Sequence, residues 1–203
     1  EHLEKLGALF ALKKIKHQYP HCWRCHKPII FRATSQWFCS VDDFKDAAVK
    51  AAEDVKWYPE WGKDRLQSMV VERADWCISR QRKWGVPIPV VYCKECGKEI
   101  IDDGIMQKVS DIFGEEGSDA WFAHDAEYFL PEGFECPHCH KANGFEKETD
   151  IMDVWFDSGS SHAAVLKNRN YLKWPADVYL EGADQYRGWF QSSLLTSVAA
   201  GNR

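Results

Sequence analysis

The chain has 203 residues, of which 45% are hydrophobic and 28% charged, and its formal net charge is −5 at pH 7. This length suits one large domain or two small ones, while the acidic balance gives no global attraction to nucleic acid or to an anionic membrane surface. No apolar run approaches the length of a membrane span and no signal peptide is recognisable, so a membrane protein and a secreted protein are not expected.

The first sixteen residues predict an amphipathic helix. Leu3, Leu6, Leu9 and Phe10 recur at helical spacing, and Tyr19-Pro20 would end the helix. The chain begins at Glu1 without an initiator Met, and we expect it to be an excised piece of a longer protein.

The segment HCWRCHKP, residues 21–28, has the spacing of a metal knuckle. Cys22 and Cys25 could hold one tetrahedral zinc, but a structural zinc site needs four ligands. We therefore interpret this pair as half of a zinc site. Candidates to complete it from the sequence are His21, His26, Cys39 and Cys77.

Residues 28–40 are rich in β-branched and aromatic side chains and predict one or two strands. Residues 41–55 predict a helix of about three to four turns with acidic residues near its start, as the helix dipole favours. Residues 63–74 predict a second helix.

Residues 75–93 contain a cluster of cations, although the chain as a whole is acidic. Arg80, Arg82 and Lys83 lie between Trp76 and Trp84, and cations interleaved with aromatic rings suit phosphates and stacked bases. The alternative is a solvated strand edge whose charges discourage aggregation.

Two further C-x-x-C pairs, in YCKECGKEI and ECPHCHK, predict a zinc site with four thiolate ligands. Such a site has no open coordination position, so a structural zinc is expected. His138 and His140 are alternative ligands, and two short helices are predicted between the pairs. The four expected ligands are Cys93, Cys96, Cys136 and Cys139.

The last third of the chain predicts two strand-to-helix transitions. Residues 150–162 indicate a buried strand, a Ser-Gly turn and a helix near His162. The β-prone run after Pro175 ends at Glu181-Gly182, and a helix follows that Asp184 could cap. Ligands of open α/β sheets bind beyond the carboxyl ends of strands, although a strand and capped helix without ligand is the simpler interpretation of this stretch alone.

Five ordered motifs together resemble isoleucyl-tRNA synthetases, in a bacterial-type class I form. They are HCWRC, FRATSQWF, DWCISRQRKWGVPIPVVYC, DIMDVWFDSGSSH and EGADQYRGWF. The resemblance implies an α/β fold: a partial Rossmann-like nucleotide-binding core with zinc-knuckle-bearing connective insertions. Residues 1–74 would be a connective segment with the zinc half-site, 93–149 a zinc-binding insertion, and 75–92 with 150–203 part of the core.

The resemblance also implies roles for individual residues. Glu181 and Gly182 would contact the aminoacyl-adenylate, Asp184 and Gln185 the substrate ammonium, and two tryptophans the isoleucine side chain. The basic segment would lie near the tRNA acceptor end. The tryptophans are Trp155 and Trp189, and the tRNA-contact candidates are Arg80, Arg82 and Lys83.

Members of this family join isoleucine to tRNA(Ile) through an adenylate formed from ATP with magnesium. The His-x-Gly-His and Lys-Met-Ser-Lys-Ser motifs of the family are not found in these 203 residues, nor is the editing domain. The chain alone is therefore expected to be inactive. A cytoplasmic monomer without membrane partners is expected, and the alternatives are a valyl- or leucyl-tRNA synthetase fragment or a non-enzymatic zinc-ribbon module that binds nucleic acid.

Overall fold

The computed structural model describes residues 1–201 and divides into two compact units, Glu1–Ser35 and the unit that begins at Gln36. In the first unit, α1 covers only His2–Lys5, and an isolated bridge pairs His21 with Pro28. The helix predicted over residues 1–16 is wrong beyond this single turn. Its apolar side chains are largely exposed, and so short a helix is unstable without burial of its apolar face.

The second unit mixes helices with short strands. Its helices are α2 Asp42–Glu53, α3 Gly62–Val71, α4 Asp103–Glu116, α5 Ala120–Ala123, α6 Val154–Gly159 and α7 Trp189–Ala199, with 3₁₀ turns at Ala126–Phe129 and Ala183–Arg187 and a π turn at His162–Lys167. The helices predicted over residues 41–55 and 63–74 are confirmed as α2 and α3. No helix within the described residues is both long and apolar enough to cross a membrane.

Within residues 1–201, the strands form three small antiparallel sheets. They are β1 Phe38–Cys39, β2 Trp76–Cys77, β3 Ser79–Arg80, β4 Val91–Cys93, β5 Glu99–Ile100, β6 Phe145–Lys147 and β7 Ile151–Met152. The sheets pair β1 with β2, β3 with β7, and β4 with both β5 and β6. Of the strands predicted over residues 28–40, only β1 forms. The β-prone run at 176–180 is irregular, and Val178 and Leu180 in it are exposed.

Two apolar clusters stabilise the described part of the second unit, residues 36–201. One lies under the three-stranded sheet, where Trp121 and Phe129 pack with ring centroids 4.6 Å apart. The other joins α2, α3 and α7 through Leu66, Tyr186 and Leu195, all nearly inaccessible to solvent. Burial of each such side chain contributes roughly 1.5–3 kcal/mol.

The carboxylate of Glu148 connects β4 and β6 to the start of the second unit. It accepts hydrogen bonds from Tyr92 Oη at 2.6 Å, Trp37 Nε1 at 2.8 Å, and the backbone N–H groups of Thr149 and Asp150 at 2.7 and 2.9 Å. Partial burial opposes ionisation of Glu148, but these four donors outweigh it and lower its pKa.

Candidate functional site

Four cysteine thiols converge where β4 and the loop before β6 meet. All four Sγ atoms lie within 4.8 Å of one another, and Cys93 and Cys136 are buried. Cys93 Sγ lies 3.6 Å from Cys139 Sγ, and Cys96 Sγ lies 3.8 Å from Cys136 Sγ. Tetrahedral zinc with Zn–S bonds of about 2.3 Å places its sulfurs about 3.8 Å apart, so the thiols fit this ion.

The backbone of each knuckle presents its two thiols by the same pair of hydrogen bonds. Cys93 N–H donates to the Lys98 carbonyl at 3.0 Å, and Gly97 N–H donates back to the Cys93 carbonyl at 2.8 Å. In the second knuckle, Cys136 and His140 make the equivalent bonds, both at 2.8 Å. Gly97 and His140 both have a left-handed backbone, with φ of 69° and 58°.

The electrostatics of the cluster favour at least one thiolate. Burial opposes ionisation of Cys136, but the N–H groups of His138 and Cys139 together with neighbouring thiols lower its pKa to about 6. The pKa of Cys139 rises to about 12: a backbone N–H favours its thiolate, but burial and the other thiols outweigh that bond. Since thiolates are the metal-binding form, the lowered pKa of Cys136 favours cation binding at this thiol.

The third C-x-x-C pair has the same backbone arrangement. Cys22 N–H donates to the Lys27 carbonyl at 2.9 Å, His26 N–H donates to the Cys22 carbonyl at 2.8 Å, and His26 has a left-handed φ of 57°. Backbone N–H groups of Cys25 and Arg24 lower the pKa of Cys22. Within residues 1–35, no group of three or more metal-ligating side chains forms around this pair. Its role as half of a zinc site stays a prediction.

The segment predicted to contact the adenylate is a 3₁₀ turn followed by α7. Glu181 and Asp184 are exposed, and Glu181 Oε2 accepts a hydrogen bond of 3.0 Å from Gly182 N–H. The predicted capping role of Asp184 is wrong, because its carboxylate accepts from Gln185 Nε2 instead. Gln185 Oε1 accepts the first free N–H of α7, from Trp189, at 3.0 Å, and so satisfies a helix donor that lacks an intrahelical partner.

The two predicted pocket tryptophans are held in different ways. The indole of Trp189 stacks on the Tyr179 ring with centroids 3.9 Å apart, and its Nε1 donates to the Ser158 carbonyl at 3.0 Å. The Trp155 side chain is 40% exposed and lies against the backbone of Gly188. Trp155 therefore has an open face that a ligand could cover.

Helix α6, which carries Trp155, begins earlier than predicted. The buried strand expected at the start of residues 150–162 ends at Met152, and Asp153 is the N-cap, its Oδ1 accepting from Trp155 N–H at 3.4 Å. Asp153 Oδ2 accepts from Trp76 Nε1 and from Arg80 Nη2, both at 2.9 Å. The early start follows from this Asp, a favoured capping residue.

A cavity of about 260 Å³ opens beside Trp155 and Gly188. Charged side chains of both signs line it, so it suits a polar ligand group. Arg73 is fixed there by a hydrogen bond to Gln191 Oε1 and by the face of Trp76. The charged lining residues are Arg73, Asp75, Arg80, Asp153 and Arg187. Glu181, Gly182, Asp184, Gln185 and Trp189 do not line this cavity.

The three cations of the basic segment differ in their contacts. Arg80 Nη1 donates to the carbonyls of Cys77 and Ser79, both at 2.8 Å, while Nη2 pairs with Asp153. Arg82 and Lys83 are exposed and make no hydrogen bond or ion pair within residues 1–201. Of the three, these two have charges that remain available to a ligand.

No sequence pattern singled out Arg73, Asp153, Gly188 or Gln191 as a site residue. An Asp directly before an apolar helical run is a capping signal that could have located Asp153. The contacts of Arg73 and Gln191 join residues 118 positions apart, and no local pattern indicates such a pair.

Comparison with known proteins places the chain in one family. Residues 11–203 match the family described as tRNA synthetases class I (I, L, M and V). The chain belongs to this family of class I tRNA synthetases.

Similar curated proteins are isoleucine–tRNA ligases. The chain is 64% identical to that of Caldicellulosiruptor bescii over 201 residues, 63% to that of Carboxydothermus hydrogenoformans over 200 and 62% to that of Desulfitobacterium hafniense over 200. These matches cover 97–99% of the chain but 22% of each relative, so the chain spans about a fifth of their length. The predicted resemblance to isoleucyl-tRNA synthetases is confirmed.

Proposed function

We propose that this chain is part of an isoleucine–tRNA ligase, which activates isoleucine with ATP and magnesium and transfers it to tRNA(Ile). The observation that carries this proposal is identity above 60% to such ligases along nearly the whole chain. The family match favours a synthetase over a zinc-ribbon module, and the relatives favour isoleucine over valine or leucine.

In this proposal, residues 75–92 and 150–203 belong to a Rossmann-like core completed by the rest of a longer protein. Residues 1–74 are a connective segment, and residues 93–149 are a zinc-binding insertion. Cys93, Cys96, Cys136 and Cys139 hold a structural zinc, which stabilises the insertion and leaves no position for a substrate. We propose a cytoplasmic monomer.

The proposed substrate contacts use groups that are accessible in the structure. Glu181 is exposed, and its carboxylate can accept hydrogen bonds from the ribose hydroxyls of the adenylate. The protein backbone at Gly182 approaches the same ligand. Trp155 presents an open apolar face to the isoleucine side chain, and Trp189 supports the same segment. Asp184 and Gln185 lie in the same segment as Trp189 and would contact the substrate ammonium. Class I chemistry requires chiefly such positioning and charge stabilisation.

An apolar wall against the isoleucine side chain would by itself give only limited selectivity. One methylene is worth only about 1–3 kcal/mol, so isoleucine and valine are separated by roughly 10- to 200-fold at this step. The tRNA acceptor end would meet the exposed Arg82 and Lys83, with Arg80 supporting the strand beneath them.

The deciding experiment is isoleucine-dependent exchange of pyrophosphate into ATP by the full-length ligase and by this chain alone. We expect exchange by the former and none by the latter, because the chain contains neither phosphate-handling motif of the family. Glu181→Ala should lower kcat/KM tenfold to over a hundredfold, corresponding to about 1.5–3 kcal/mol for hydrogen bonds donated by the substrate to a charged acceptor.

Glu132→Ala, an exposed carboxylate in the zinc-binding insertion, is the control and should leave exchange within about twofold, as surface changes usually do. Exchange that depends on valine or leucine rather than isoleucine would contradict the proposal. A Glu181→Ala enzyme with wild-type kcat/KM and a much lower Tm would make Glu181 structural.

A further inference from the structure

The carboxylate of Asp153 is the most enclosed charged group near the proposed pocket. Asp153 is 4% exposed, and its two oxygens have separate partners. Oδ1 accepts from the N–H of Trp155, whereas Oδ2 accepts from Trp76 Nε1 and Arg80 Nη2. Burial of a polar side chain is costly unless donors of this kind satisfy it.

These contacts connect three chain segments at one point. Asp153 follows β7, which pairs antiparallel with β3 in the register Arg80 to Ile151, and its own N–H donates to the Ile78 carbonyl at 2.7 Å. The backbone therefore fixes the position of Asp153 before its side chain acts. The side chain then determines where α6 begins and how its first residues are oriented.

We propose that Asp153 is a positioning residue that holds the Trp155 wall of the isoleucine pocket in register with the basic strand that contains Arg80. The inference rests on the proposed function and deepens it. Trp155 is the second residue after Asp153, so a shift of the helix start moves its indole directly. Arg80 is two residues before the exposed Arg82, so the same carboxylate also fixes the base of the proposed tRNA-contact segment.

The two oxygens make Asp153→Asn informative. An amide has one acceptor oxygen and one NH₂ donor, so it can cap α6 or accept from Trp76 and Arg80, but not both. We expect the KM for isoleucine to rise about tenfold or more in ATP–pyrophosphate exchange by the full-length ligase, with the KM for ATP within about twofold. Discrimination between isoleucine and valine should fall, because the displaced indole no longer fits the side chain.

The matched control is Asp102→Asn. Asp102 is the N-cap of α4 and accepts from Ile105 N–H at 3.0 Å, but it lies in the zinc-binding insertion. Asn caps helices as well as Asp does, so this variant should keep both KM values.

A milder pair of variants covers the case in which Asp153→Asn does not fold. Trp76→Phe removes the Nε1 donor to Asp153, whereas Trp57→Phe in the same apolar cluster removes a donor to the Ala52 carbonyl. Trp76→Phe should raise the isoleucine KM about threefold and Trp57→Phe should not, since a typical hydrogen bond contributes about 0.5–1.5 kcal/mol. In a double variant, Trp76→Phe should add less to Asp153→Asn than it does alone, because both act on one contact.

Other outcomes overturn the inference. A folded Asp153→Asn enzyme with unchanged isoleucine KM would do so, as would a parallel rise of both KM values with a loss of Tm, which marks a purely structural role. If Asp153→Asn does not fold, equal effects of Trp76→Phe and Trp57→Phe on the isoleucine KM would overturn the inference. Absence of isoleucine-dependent exchange in the unsubstituted full-length protein would instead refute the proposed function.

Discussion

Gly188 lies so close to Trp155 that a Cβ at position 188 would be 2.9 Å from the indole Cη2 atom. The same Cβ would overlap Gln185 Oε1, which caps α7. Only a residue without a side chain lets these two proposed substrate contacts converge. The missing side chain of Gly188 therefore leaves room for Trp155 and Gln185 in the proposed pocket.

We expect Gly188→Ala to displace the Trp155 indole and the Gln185 side chain. Overpacking of this kind costs typically about 1–3 kcal/mol. In the full-length ligase the isoleucine KM should rise about tenfold, corresponding to about 1.4 kcal/mol. Steady-state exchange kinetics and thermal unfolding measure the two effects.

Gly114→Ala is the control, because a Cβ at this position in α4 would meet nothing within 4 Å. It should stabilise the helix by up to about 1 kcal/mol and leave the kinetics unchanged. Equal kinetic effects of both substitutions would show that the Gly188–Trp155 contact does not shape the pocket.

The cysteine cluster predicts one zinc ion per chain. Elemental analysis of the purified protein should find it, and Cys136→Ser should abolish it and lower the Tm sharply, because metal binding and folding of such sites are coupled. Cys39→Ser, outside the cluster, should retain the metal. Native protein with freely reactive thiols at all four positions and no zinc would count against the site.

Acid unfolding should depend on Glu148. Its pKa is lowered in the folded state, so the carboxylate stabilises the protein above the ordinary Glu pKa of about 4.3, and this stability is lost as the pH falls through that value towards the lower folded pKa. Glu148→Gln should therefore lower the Tm at pH 7 and flatten the fall of Tm below about pH 4.5.

The matched control for this pH effect is Glu146→Gln, an exposed neighbour on β6. Thermal unfolding at several pH values should give the same profile as the unsubstituted protein, within about 0.5 kcal/mol. If Glu148→Gln also kept the full pH dependence, the four donors to its carboxylate would not govern acid stability.

We expect Arg82 and Lys83 to contribute to tRNA binding and Arg80 to contribute to stability. Arg82→Ala and Lys83→Ala should weaken tRNA binding by the full-length ligase with little change in Tm, and removal of each cation that meets a phosphate should reduce the salt slope by about 1. Arg80→Ala should mainly lower the Tm, because it removes the ion pair with buried Asp153. Binding titrations at several salt concentrations test this, and a lower Tm with unchanged affinity for the Arg82 variant would contradict it.

Local patterns carried most of what the sequence predicted well. Acidic residues near its start indicated α2, α3 was likewise predicted from its local sequence, and the cysteine pairs follow from ligand spacing. The helix predicted over residues 1–16 rested on apolar spacing, but its apolar side chains are exposed, so periodicity alone could not sustain it.

Long-range contacts account for the rest of the candidate site. Gln185 rather than Asp184 caps α7 because an irregular residue, Gly188, separates the 3₁₀ turn from the helix. Asp153 acquires its role only when Trp76 and Arg80 are folded against it, 77 and 73 residues earlier in the chain. Propensities describe neighbours in sequence and contain no information on such pairs.

The three knuckles share one backbone form, yet a glycine occupies its left-handed position only once. His26 and His140 adopt φ values of 57° and 58° where the other knuckle has Gly97. A left-handed backbone costs a residue with a Cβ about 1–2 kcal/mol, and the extra entropy that glycine loses on folding offsets roughly 0.5–1 kcal/mol of this. Glycine in place of His26 or His140 would therefore raise thermal stability while leaving every thiol unchanged.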